Sequence, residues 1–165
     1  MATANRLIDV LVEHIAVTNE LQQALQEEQK AIIGLDTTLM NTLNSQKEML
    51  ISRHRRVADM LRSVMSETAI QLGLQTSATL SEIIEKMPDA MRSRVQPLQK
   101  SVKQVSSTVS ILANQNRDML ERFLGVVNES LGFVLKIINT SDTYGARGTY
   151  LSNARTGAVM VNREA

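Results

Sequence analysis

Residues 112–138 read LANQNRDMLERFLGVVNESLGFVLKII, and the spacing of their apolar side chains decides the fold. Leu112, Asn116, Met119, Phe123, Val126, Ser130, Phe133 and Ile137 step by three and four, and upstream Val95, Leu98, Val102, Val105 and Val109 keep the same step. That is the repeat of a helix laying one face on a neighbour in coiled-coil fashion. Beside this seam runs a second apolar row, Leu120, Leu124, Val127, Leu131, Val134 and Ile138, with Leu135 further round. Two rows make a face wider than a two-helix seam covers. Either the neighbours in a small bundle bury both, or part stays open as a strip for an amphipathic partner segment. Gly125 and Gly132 share one face and would let another backbone approach closely, each weakening the helix by roughly 1 kcal/mol relative to Ala. Asn116 falls in the seam, where a buried amide sets the register of packed helices at some cost in stability. Pro97 removes one backbone hydrogen bond, so the helix starts near it or kinks there.

Upstream, Leu7, Leu11, Ile15, Thr18, Leu21, Leu25, Ile32, Leu35, Leu39, Leu43, Leu50, His54, Val57, Leu61 and Val64 form a similar seam. The stretch reads as one long helix, bent at Gly34-Leu35-Asp36, where glycine permits a kink or short turn and Asp36 can cap the helical turn after it. Gly73 reads as a C-cap glycine, succeeded by the polar connection Gln75-Thr76-Ser77. Thr79-Leu80-Ser81-Glu82 has capping-box spacing and predicts a short helix from Leu80 to Met87, ended by Pro88, which suits the first turn of a new helix. Beyond Asn139 the periodicity stops. The fold expected is all-α: a long antiparallel helical hairpin or three-helix coiled-coil-like bundle over residues 1–139, with a flexible C-terminal tail over 140–165.

Composition agrees. With 43% apolar but only 2% aromatic residues, aliphatic side chains must do the burying, and 7 glycines and 2 prolines are too few for the turns of a multi-stranded sheet. Lys and Arg number 18 against 17 acidic residues, so no net field draws the chain to nucleic acid or anionic lipid. The absence of cysteine excludes disulfides, thiolate nucleophiles and Cys-ligated zinc. Asp9 and Glu13 interrupt any signal-peptide core, and Glu121, Arg122, Glu129 and Lys136 argue against membrane insertion of the most apolar window.

Chemistry is sparse. There is no P-loop, dinucleotide fingerprint, nucleophile elbow or HExxH, and Gly145-Ala146-Arg147-Gly148 comes after a helix, not the strand a phosphate loop requires. His54 in the seam and His14 beside it read as packing or interfacial histidines. Arg53-His54-Arg55-Arg56, with Arg62, reads as a solvated helix face, because no aromatic residues are interleaved for base stacking. The chain is therefore read as a non-enzyme, with no catalytic residues, cofactor or metal.

The run Glu27-Glu28-Gln29-Lys30-Ala31-Ile32-Ile33-Gly34-Leu35-Asp36, with Leu39, Leu43, Lys47, Leu50 and Arg56 after it, resembles the first-helix signature of the FlgN flagellar export chaperones. So does the later layout of Leu112, Asn114, Asn116, Leu120 and Leu124, then Thr143-Tyr144-Gly145-Ala146-Arg147-Gly148 and the ending Val161-Asn162-Arg163-Glu164-Ala165. The resemblance implies a cytoplasmic chaperone that holds the hook–filament junction proteins FlgK and FlgL and presents them to the export gate protein FlhA. It implies substrate capture on the double apolar row, at Leu120, Phe123, Leu124, Val127, Leu131, Val134, Leu135 and Ile138. It implies gate docking at Tyr144 with Gly145 and Gly148, although Tyr150 lies close by. The alternative from another class is a self-associating coiled-coil structural or adaptor protein.

Overall fold

The computed structural model describes residues 2–140, with side chains from 3 to 138. Four helices succeed one another, α1 Ala2–Ile33, α2 Thr37–Gln71, α3 Leu80–Lys86 and α4 Asp89–Thr140, with no strand among the described residues. The chain divides into two units, Met1–Glu121 and Arg122–Ala165, and α4 contributes to both.

The stretch from Leu7 to Val64 is two helices and not one. Hydrogen bonds pair Thr3 with Gln71, Arg6 with Glu67, Glu20 with Arg53 and Glu28 with Lys47, so the α1 number rises as the α2 number falls. That progression defines an antiparallel hairpin. Its turn closes α1 through Leu35 N–H to the Ile32 carbonyl at 3.2 Å and Asp36 N–H to the Ala31 carbonyl at 2.9 Å, the two bonds of a Schellman cap. Asp36 then caps α2, its carboxylate accepting from Leu39 N–H at 2.9 Å. The left-handed position of this cap is held by Leu35, at φ 54°, and not by Gly34. A left-handed conformation costs a side chain roughly 1–2 kcal/mol, part of which glycine gives back as unfolded-state entropy. Leu35→Gly is therefore expected to stabilise the hairpin by about 0.5–1 kcal/mol, read as a higher urea midpoint. An unchanged or lower midpoint would mean that the exposed leucine contributes packing that offsets its strain.

The second connection agrees with expectation. Gly73, at φ 71°, occupies the left-handed position after α2, with Leu74 N–H bonded to the Ala69 carbonyl at 2.8 Å. Thr79 and Glu82 form the complete capping box of α3, and bonds from the Thr79 N–H and then its hydroxyl hold the Glu82 carboxyl below the usual carboxylate range. The cap is thus intact above that range and is lost as pH falls through the depressed value. Arg92 of α4 donates to the carbonyls of Ile84, Glu85 and Met87, satisfying the open end of α3. The helix α4 begins well before Pro97 and continues through it.

The core of the first unit gathers Leu7, Leu11 and Val17 of α1, Val57 and Val64 of α2, Ile83 of α3 and Val95 of α4, all essentially inaccessible to solvent. Leu98 and Val102 pack partly buried against it. Each burial is worth about 1.5–3 kcal/mol, and with no Phe, Tyr or Trp among the buried residues the aliphatic side chains do the work.

Candidate functional site

Two regions of α4 differ in what surrounds them. In the first unit, Asn116 is buried where α4 meets the hairpin. Its amide donates to the Leu25 carbonyl at 2.8 Å and to Glu28 Oε2 at 2.9 Å, while Lys47 of α2 bonds the other carboxylate oxygen of Glu28. One buried carboxylate therefore ties three helices together, and the seam amide sets register as expected. The three-four step itself passes through both, Glu28 between Leu25 and Ile32 and Lys47 between Leu43 and Leu50, but their charge hides the burial because charged residues usually face water. A cleft of about 320 Å³ lies beside the cluster, lined by Leu21, Leu25, Ile51, Val109, Ala113 and Leu120 among others. Over Val105, Val109 and Leu112 the seam is only half-buried.

In the second unit the apolar residues face solvent. Phe133 is 65% exposed, Leu124 57%, Leu131 56% and Val134 49%, while Phe123 and Val127 are half-buried. Leu135 and Ile138 are exposed as well, and so are the seam residues Val126 and Ile137. Leu120 belongs to the first unit and is half-buried. Part of the double row thus stays open to solvent, at Leu124, Leu131, Val134 and Leu135. Isolated exposed apolar residues are ordinary on a protein surface; so many along one helix are not.

The two glycines share one face, as expected, and it lies opposite the apolar one. At about 100° per residue, Gly125 and Gly132 fall among Glu121, Asn128 and Glu129, roughly 160–180° from the middle of the apolar arc. A methyl group added at either would meet nothing within 4 Å. They lower the intrinsic stability of this stretch and lie outside its apolar arc.

The histidines meet across the hairpin, their ring centroids 4.7 Å apart and tilted by 55°. His14, the flanking residue, is the buried one, and His54 is half-buried. Burial, and secondarily the charge of His54, hold the His14 imidazole below its ordinary pKa. Its Nδ1 is buried with no hydrogen-bond partner among the described residues. Below the ordinary histidine range the unfolded chain binds a proton that the folded one resists. Stability should therefore fall as pH drops through that range, and level off below the depressed folded value. Urea midpoints from pH 7.5 to 5.5 should show this decline, and His14→Leu should flatten it; an equal slope in the variant would place the proton uptake elsewhere.

The basic run is a solvated face: Arg53 pairs with Glu20 at 3.0 Å, Arg62 with Asp59 at 3.0 Å, and Arg55 and Arg56 are exposed. Among the described residues there is no group of three or more metal-ligating side chains, and no helix is long and apolar enough to cross a membrane. Tyr144, Gly145 and Gly148 lie outside the described residues.

Compared with known proteins, the chain matches the family model described as FlgN protein over residues 1–152. No curated protein and no solved structure matches it.

Proposed function

The chain belongs to the FlgN family of flagellar export chaperones, and we propose that it captures the hook-associated proteins FlgK and FlgL in the cytoplasm and hands them to the export gate protein FlhA. The observation that supports this reading is the run of exposed aliphatic and aromatic side chains on α4 after Arg122. Client capture falls to Leu120, Phe123, Leu124, Val127, Leu131, Val134, Leu135 and Ile138. An amphipathic client segment laid on them as a helix buries its apolar face and leaves its polar face in water. The step is binding alone; no bond is broken.

Mixing the purified chain with FlgK or FlgL terminal segments tests the reading. A stoichiometric complex supports it, whereas stable homo-oligomers indifferent to those segments would favour the self-associating coiled coil, to which the same exposed strip also lends itself. Gate docking falls to Tyr144, flanked by Gly145 and Gly148, since a tyrosine supplies a large amphipathic contact at low entropic cost. Tyr144→Ala should leave helix content and client affinity unchanged and weaken binding to the FlhA cytoplasmic domain by about 10-fold or more. Full gate binding by that variant, with loss in Tyr150→Ala, would move the anchor to Tyr150.

A further inference from the structure

A cavity of about 460 Å³ opens in the first unit, where the start of α1, the end of α2 and the junction of α3 with α4 meet. Thr68 and Met87 on its lining are buried, Ala4, Leu72 and Met91 are half-buried, and Ala90 and Arg94 at its mouth are exposed. Its uncharged polar groups are already engaged: the Thr68 hydroxyl donates to the Val64 carbonyl at 2.7 Å, and the Gln71 amide donates to Thr3 Oγ1 at 2.8 Å. A water molecule held in such a space needs about two to four polar partners, and aliphatic and thioether walls do not supply them. The walls therefore suit an apolar occupant, to whose shape the two methionines can adapt. Arg94 brings the one charge on the lining. Its guanidinium donates to Asn5 Oδ1 at 3.2 Å and lies 3.9 Å from the Met91 sulfur, and it pairs with no carboxylate among the described residues, whereas nearby Arg6 and Arg92 pair with Glu67 and Asp89.

We propose that this cavity is a binding site for an unbranched aliphatic carboxylate, with its hydrocarbon chain along Leu72, Met87 and Met91 and its head group on Arg94. A planar guanidinium with most of its donors unused matches a carboxylate, which it binds through two parallel hydrogen bonds. A neutral body of the same length leaves the guanidinium to water, and a cationic one is repelled by it. The volume falls within the roughly 300–1,000 Å³ of small-molecule pockets. The site is independent of the reading of α4 as the client surface.

Isothermal titration of the full chain with decanoate, octanoate and decanol, each below its micelle-forming concentration, tests the site. Decanoate is expected to bind one to one and octanoate about 16-fold more weakly, at about 4-fold per methylene. Decanol should bind about 10-fold more weakly than decanoate, and Arg94→Gln should bring decanoate down to the affinity of decanol. Ala90→Phe, which fills the mouth, should abolish binding of both. The two substituted residues are exposed, so helix content should be unchanged in each variant. Equal decanoate binding by both variants, or several decanoate molecules per chain, would place the amphiphile on the exposed side chains of α4 and overturn the proposal. Loss in Ala90→Phe alone, with decanol equal to decanoate, would leave an apolar cavity without the carboxylate contact and overturn it too, as would the absence of decanoate binding.

Discussion

Leu131→Asp should weaken binding of a hook-associated client about 100-fold while shifting the stability of the free chain by less than about 1 kcal/mol. Leu131 is 56% exposed, so in the free chain the aspartate remains hydrated and costs little beyond its poorer helix propensity. In the complex, the client loses the burial of a leucine, about 1.5–3 kcal/mol, and must also desolvate a carboxylate or hold it clear. The two readouts separate the roles: isothermal titration with FlgK reports the contact, and urea unfolding reports the fold. A large drop in stability with a parallel loss of binding would instead make Leu131 a core residue.

The largest expected effect on stability lies in the first unit. Lys47→Met leaves the carboxylate of Glu28, a residue only 5% exposed, without its cation and should cost about 3 kcal/mol in urea unfolding. The double variant Glu28→Gln with Lys47→Met should recover most of that loss. The glutamine carries no charge and still accepts from Asn116, while methionine fills the space of the lysine stem. A cost under about 0.5 kcal/mol for Lys47→Met would mean that the pair is hydrated like a surface ion pair.

Helix content, the capping box at Thr79 and Glu82, the glycine cap at Gly73 and the seam position of Asn116 are all legible from residue spacing, because each depends on neighbours within a few positions. The hairpin turn escapes that reading for a physical reason. Ile32, Leu35 and Leu39 continue the three-four step across it, and the left-handed residue is Leu35, a type that gives no sign of that conformation. Leu35 and Leu39 prove exposed, where an unbroken helix would have buried them. The Glu28–Lys47 pair does occupy seam positions, between Leu25 and Ile32 and between Leu43 and Leu50, but charge argues against burial there and the amide that completes the cluster comes from α4, far along the chain. The strip after Arg122 is legible as composition, but whether neighbours cover it requires the structure; which face its glycines occupy needs only the helical angle.

Amide hydrogen exchange over residues 123–135, measured in the free chain and in the presence of saturating FlgK, probes client capture most directly. Opening should be fast in the free chain, where exposed apolar side chains and two glycines leave the helix little to hold it. Slowing confined to this stretch on complex formation, with α1 and α2 unchanged, is the expected result. Unchanged exchange there in a fully formed complex would contradict capture on α4 and place the client elsewhere on the chain.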